Sequence, residues 1–560
     1  SQVRVLPGAV FPVAFFAWFV YSWAVSGLKE TAFIMTSDGT HRQIGDWCRS
    51  ELAEYHGLSA RIDVGDAFLN SLLYGTLKSF ADRTDPSGFC QTSYGEVGNV
   101  KLYGQTHYPR DTAEAARALA DVGLVETAIR ILGFTLGHIP KGQYYIPHVY
   151  NRDGSIKANT IQIDTPAHVA IALQRCVEIA GTTQRLGELF AGLCAMFDGA
   201  WTRHYHEDWR LLDAGNFNEQ GFGGSSEPIC DLFTNASMAA GHAAMAVLAD
   251  RFGRRDLAAI FADRGNALVE GIETTLYDGD RRIYRVARHR LDGRYTDEVD
   301  WISLYSARWH RGQAGAWDRV FDILKETSVI AWDDMEVISC EPDRYRVLGK
   351  VFGHLLGYLG RTGRFALLDS HLEFVRRTVV KPSNIWPEWW YHKDPDSPDD
   401  YFKNDWSPRF RGMWLPYAQD PQADYTVDSG NCEQAAVFLV HSFEDLIGIR
   451  IGGAGVSVRP SLPFGLRDVT VSDLPAGPRS TISYRQRRSG RSLEFGFDVH
   501  GDQPVEVALA VPAEARNVSL LIDGRQSPLP APVREHDVQR ITLPIGPQQR
   551  SAQVAIRWDG

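Results

Sequence analysis

From about residue 61 to residue 447, apolar residues recur with the 3.6-residue helical period, and the connections between these segments alternate between short and long. The period predicts helices at 64–82, 111–122, 124–136, 164–181, 185–204, 230–252, 254–276, 298–310, 314–328, 342–360, 364–381 and 431–447. Helix starts carry caps or early acids, as at Asp111, Asp164, Asp231 and Asn431, and ends carry glycine, as at Gly123, Gly253 and Gly360. A short connection forces the two helices it joins to be antiparallel neighbours. Six hairpins in series, with every long connection on one end, predict a mainly α chain closed into an (α/α)6 toroid. Its long-loop end is then the functional face, because chemistry concentrates on loops held by a rigid scaffold.

After Gly448 the pattern becomes alternating strands between Gly, Pro and Asp turns, as in "SLEFGFDVH" and "VEVALAV". The expected organisation is a lead-in over 1–60, a helical barrel over 61–449 and an antiparallel β-sandwich over 450–560. Ala9–Leu28 is uncharged over about the length that crosses a bilayer, with Arg4 ahead of it. It reads equally as an anchor or signal remnant and as a buried element. A membrane partner is expected only in the first case, and cytoplasmic and exported locations both stay open.

The 58 basic and 69 acidic residues leave a net charge of −11 without a marked basic tract, which argues against a nucleic-acid partner. Seven scattered cysteines contain no CxxC pair and read as free thiols. His204 and His206 have no evident carboxylate partner along the chain, so neither a metal nor another cofactor is expected.

The long loops collect carboxylates and rings. Candidate binding residues are His107, Tyr108, Arg110 and Asp111 before the second helix, Trp332 in the fifth long loop, and Glu433 opening the last helix. The longest loop contains "NIWPEWWYHKD", with Glu388 among Trp386, Trp389 and Trp390. Flat rings suit the C–H face of a sugar, while acids and amides suit its hydroxyls. Desolvation by the rings would also raise the Glu388 pKa. Cleaving a glycosidic bond takes two carboxyls on opposite sides of it, hence from different loops. Glu388 is the candidate base. Asp231, Glu227 and Glu219, in "NEQGFGGSSEPICD", are alternative proton donors.

The order of these elements resembles the six-hairpin glycosidases over roughly residues 60–560. Pro109-Arg110-Asp111, Trp386-Pro387-Glu388 and Ser429-Gly430-Asn431-Cys432 are similar to elements of the bacterial α-L-rhamnosidases. Two departures are Ala116, where that family has an acid, and Cys432, where it has histidine. Glu227-Pro-Ile-Cys-Asp231 keeps the E-x3-D spacing of the trehalase and processing α-glucosidase type. The resemblance implies a glycoside hydrolase acting on a carbohydrate, inverting, with Glu388 as base. Two alternatives use the same residues. One is a polysaccharide lyase with Tyr108 or His107 as base and Arg110 neutralising a uronate. The other is a glycan-binding protein without turnover.

Overall fold

The computed structural model describes residues 38–92, 96–97, 100–101, 106–215, 229–296, 299, 302–332, 334–339, 346–378, 386, 389–392, 425–427, 432–452, 455–546 and 549–559. The apolar stretch 9–28 lies outside them. Its helices are α1 Asp38–His56, α2 Ala67–Arg83, α3 Pro109–Asp121, α4 Val125–Gly137, α5 Thr165–Ala180, α6 Gln184–His204, α7 Leu232–Arg251, α8 Arg255–Gly271, α9 Ala316–Thr327, α10 Gly349–Thr362, α11 Phe365–Thr378 and α12 Cys432–His441. Both α8 and α12 run on into one π-helical turn, Ile272–Leu276 and Ser442–Leu446.

Local chemistry accounts for the starts. Pro109 and Pro166 occupy first-turn positions, where a missing N–H costs nothing. Asp66, Thr183 and Asp231 accept a backbone N–H three residues ahead. Gly363 ends α10 with φ +76°, the left-handed cap that glycine adopts without strain.

Five helices and one 3₁₀ turn make a closed circuit of contacts. Around it, α3 packs on α5, α5 on α7, α7 on the turn Leu304–Arg308, that turn on α10, α10 on α12, and α12 on α3. The others lie outside it: α4 on α3 and α5, α6 on α5 and α7, α8 on α7, and α11 on α10. Inner and outer helices differ as this demands. The inner α7 is buried on nearly all sides and would pass for a membrane span by composition. The outer α8 buries only Phe261, Gly265, Leu268 and Gly271. Gly353 lets α12 come close: a Cβ there would stand 3.0 Å from the Phe438 backbone.

Three structural elements depart from expectation. The eighth expected helix, 298–310, is a single 3₁₀ turn among the described residues. Ahead of residue 64 the chain forms α1, packed on α2, and the strand β1, Arg61–Asp63.

The strand-rich region comprises β2 Ile449–Gly452, β3 Gly455–Val458, β4 Asp468–Gly477, β5 Ser480–Ser489, β6 Ser492–His500, β7 Val505–Pro512, β8 Arg516–Ile522, β9 Arg525–Ser527, β10 Val533–Glu535, β11 Val538–Thr542 and β12 Ser551–Asp559. One sheet runs β1-β4-β5-β6-β12-β8-β9 and the other β2-β3-β7-β11-β10. Pairing is antiparallel except for β3 with β7. β1 therefore joins the far end of the chain, with Arg61 opposite Ser472 and Asp63 opposite Thr470. The inner helices end against this region: Gly123 faces Pro475, Gly181 faces Pro478 and Gly363 faces Val538.

Candidate active site

The N-terminal ends of the inner helices gather a set of buried charges. On α3, Arg110 pairs with Asp164, the residue before α5, at 3.4 Å and with Glu433 on α12 at 3.4 Å. Lys350 on α10 reaches the same Glu433 at 3.3 Å. Asp111 hydrogen-bonds Glu433. Asp231, before α7, is fully buried, and its electrostatic surroundings include Asp164.

One turn deeper, His168 Nδ1 lies 2.7 Å from Glu114 Oε1, and Arg308 donates to Glu114 Oε2 at 2.7 Å. His168 Nε2 faces Asp164 at 3.5 Å. Neither Glu114, His168, Arg308 nor Lys350 was flagged by the sequence. Their one legible signal is spacing: Asp164 and His168 are four apart and share a helix face.

Burial acts on every carboxyl here, and the neighbours decide the outcome. For Asp164, burial raises the pKa, but the facing His168 and the charge of Arg110 outweigh it and hold the group at about 2. It is an ionised carboxylate and makes no side-chain cap to α5. Glu433 is likewise held low, because Arg110 and Lys350 outweigh its burial. Asp111 has the opposite fate: burial and the adjacent Glu433 charge raise it well above the usual carboxylate range.

For Asp231, burial lifts the pKa to about 7, offset only in part by the Thr234 N–H. Its Oδ1 accepts that N–H at 2.7 Å, while its Oδ2 is buried with no hydrogen-bond partner among the described residues. A carboxyl that caps a helix with one oxygen and holds a proton near neutrality on the other can deliver that proton. The helix N-terminus alone would favour the charged form; here burial wins. The strand Ile229–Asp231 pairs with Ala287–His289, setting Asp231 opposite Ala287 and fixing its approach to α7.

Other sequence candidates are placed differently. Trp386 and Trp390 are fully buried in the core. Trp386 stacks on Phe438 at 4.1 Å and donates to the Gly349 carbonyl at 3.1 Å. Trp390 meets Phe352, Phe374 and Trp386. Their faces are covered by protein, which corrects the expectation of a sugar-stacking wall at these two positions. His107 is also internal: its Nδ1 accepts the Cys90 N–H, and its Nε2 meets Thr135 and Thr112. Burial lowers its pKa to about 3, so it is a neutral structural ring rather than a base or hydroxyl binder.

Tyr108 is half-buried at the start of α3, edge-on to His148 at 5.3 Å. Glu388, Glu227 and Glu219 lie outside the described residues, as do the side chains of Trp332 and Trp389. The chain on both sides of Glu388 is anchored at the start of α10: Trp386 bonds Gly349, and Trp389 pairs with Leu348.

His204 and His206 do have a carboxylate partner. Asp213 lies 2.7 Å from His204 Nδ1 and 3.1 Å from His206 Nε2, and Arg290 donates to it at 2.8 Å. No group of metal-binding side chains is found among the described residues. Six free cysteines are described, all but Cys194 buried. Two described cavities, one beside Val177 and Pro478 and one beside Leu69 and Arg376, border neither Asp231 nor Glu433.

No protein-family model matches the chain, and no curated protein is similar to it. Solved structures are similar in fold. An α-L-rhamnosidase from Dictyoglumus thermophilum superposes with a TM-score of 0.53 at 9% identity over 89% of this chain and 50% of its own. A GH78 family rhamnosidase of Bacillus sp. GL1 gives 0.52 at 17% identity over 80% of this chain and 42% of its own. A Streptomyces avermitilis α-L-rhamnosidase complexed with L-rhamnose gives 0.54 at 13% identity, over 89% and 42%. At these identities the likeness is one of fold, and the chain spans half or less of each of these three structures.

Proposed function

We propose that this protein is a glycoside hydrolase whose inner and outer helices form an (α/α)6 toroid, with the site at the N-terminal ends of the inner helices. The observation that carries the reading is Asp231. It is a buried carboxyl that burial lifts to about 7, with one oxygen unpartnered among the described residues, in the field of carboxylates held ionised by Arg110, Lys350 and His168. Two populations of carboxyl in one site, one carrying protons and one not, are what glycosidic cleavage uses. The fold likeness to α-L-rhamnosidases supports the same class.

In this reading Asp231 protonates the leaving oxygen, and Glu388 activates water from the opposite side. Asp111, Arg110 and Glu433 hold sugar hydroxyls. The mechanism is inverting, which requires the two catalytic carboxyls about 6.5–9.5 Å apart. The choice of Asp231 over Glu219 and Glu227 rests on its geometry. Ala116 and Cys432 argue that the sugar differs from rhamnose.

The test is a screen of aryl glycosides and natural glycans, including an α-L-rhamnoside, with NMR of the first-formed anomer. Asp231→Asn is expected to lower kcat/KM by about 10²–10⁴ on substrates with poor leaving groups, and much less on activated aryl glycosides. Glu388→Gln is expected to abolish both. Turnover unaffected by either variant would overturn the assignment. Binding without turnover would identify a glycan-binding protein, and an unsaturated, ultraviolet-absorbing product a lyase.

A further inference from the structure

The stretch "RQRRSGR", from Arg485 to Arg491, holds four arginines in seven residues and has no part in the site above. Alternation along β5 turns Arg485 and Arg487 outward and buries Gln486 and Arg488 on the inner face. Gln486 is 1% and Arg488 8% exposed. Among the described residues, both amide atoms of Gln486 are buried without a hydrogen-bond partner, as are Nε and one terminal nitrogen of Arg488. The guanidinium carbon of Arg488 stands 4.6 Å from the centre of the Phe464 ring.

The segment 459–464 that supplies that ring also holds a second buried guanidinium. Arg540, on β11, donates to the Pro460 carbonyl at 3.4 Å and to Ser461 Oγ at 3.2 Å. Its Nε donates to Glu535 at 3.0 Å, and Glu535 is shared with Arg459. Three guanidiniums thus meet along this segment, and among the described residues one carboxylate answers them. The positive charges feel one another. Burial and the Arg540 charge lower Arg488 to about 10, and burial and the Arg459 charge lower Arg540 to about 10. A buried cation without a counter-charge is costly, and its open N–H groups add to that cost.

We propose that Gln486, Arg488 and Arg540 form a binding site for a small tetrahedral oxyanion, phosphate or sulfate, where the two sheets meet the ends of α10 and α11. The guanidinium fork of Arg488 presents two adjacent donors to oxygens of one anion, and the Gln486 amide adds a third. The exposed Arg485, Arg487 and Arg491 raise the local anion concentration along this strand and the Gly490–Arg491 turn that follows it. Bound there, the anion ties β5 to β11 across the two sheets. This site is independent of the hydrolase reading.

The experiment is a thermal titration of the full chain with sodium phosphate, sulfate, acetate and chloride at constant ionic strength, on the wild type and on Arg488→Met. Phosphate and sulfate strengthen burial in any protein by exclusion from its surface, so the difference between the two chains is the readout. The wild type is expected to gain about 2 °C or more in Tm, saturably, with phosphate and sulfate. Arg488→Met is expected to keep only the unsaturable part. It replaces a buried charge by an apolar chain of similar length and is expected to fold. Should it not, Gln486→Met and calorimetric titration of the wild type with phosphate decide. Equal shifts in both chains, no saturable heat with phosphate, or acetate matching phosphate would each overturn the proposal.

Discussion

The two ends of the inner helices carry the same kinds of residue in different proportions. At the end facing the strand-rich region, Asp121 and Glu178 meet Arg175, Glu444 meets Arg117, and Asp445 meets Arg361 and Arg450. Four carboxyls answer four guanidiniums. At the N-terminal end, Asp111, Asp164 and Glu433 share Arg110 and Lys350, with Asp231 in the field of Asp164 and His168 below. Balanced charge makes a structural clamp, in which burial still lifts Asp121 to about 6 against the charge of Arg175. An excess of buried carboxyls leaves some of them holding protons, which is a chemical resource rather than a brace.

The contrast can be broken by substitution, beginning with the residue between the ends. Arg308→Met removes the cation that neutralises Glu114 and leaves that carboxylate buried beside Tyr305. It is expected to cost about 3–5 kcal/mol in denaturant unfolding. Asp445→Asn comes next, at about 3 kcal/mol at pH 7, because His441 Nδ1 and two arginines lose their charged acceptor. Arg361 and the other cations outweigh burial and hold Asp445 far below the usual range. Its contribution is therefore present above pH ~4 and is lost as pH falls further, so the cost of the substitution fades in acid.

Asp231→Asn should have the opposite sign. Because burial raises Asp231 to about 7, its contribution is complete below pH ~4 and is lost as pH rises through ~7. The variant is expected to be close to wild type at pH 5 and about 2 kcal/mol more stable at pH 8. Stability–pH curves for the two aspartate variants that bend the same way would remove the distinction between the ends. The smallest effect belongs to Trp386→Phe. Loss of its bond to the Gly349 carbonyl should cost about 1 kcal/mol in stability, as expected of a core ring behind the site. An unchanged midpoint would return Trp386 to the surface.

Long, periodic elements were legible because the helical period integrates over many residues; α6 and α7 fall within two residues of the expected bounds. Short elements were not. β1 is three residues long, and its pairing with β4 is a contact across some 400 positions that no local pattern encodes. The 3₁₀ turn Leu304–Arg308 shared the apolar content of a helix without its length. In the site, acid at a helix start was readable for Asp231, but its unpartnered oxygen and the pairing of Asp164 with Arg110 come only from packing. The tryptophans mark the converse limit. Ring density in a sequence looks the same whether the rings line a cleft, as expected for Trp386 and Trp390, or fill a core, as found.

The placement of β1 at the edge of the seven-stranded sheet bears on how this chain is made and handled. That edge is supplied by a segment translated before any of the ring, and its partner β4 emerges after all of it. Docking must therefore wait for nearly complete synthesis, and such late, long-range closure slows folding. A fragment cut near residue 449 to isolate the strands would bare the β4 edge and recruit other copies to it. Expression trials should keep residues 61–63 in covalent or split-chain form, with aggregation of the excised strands as the measurable penalty.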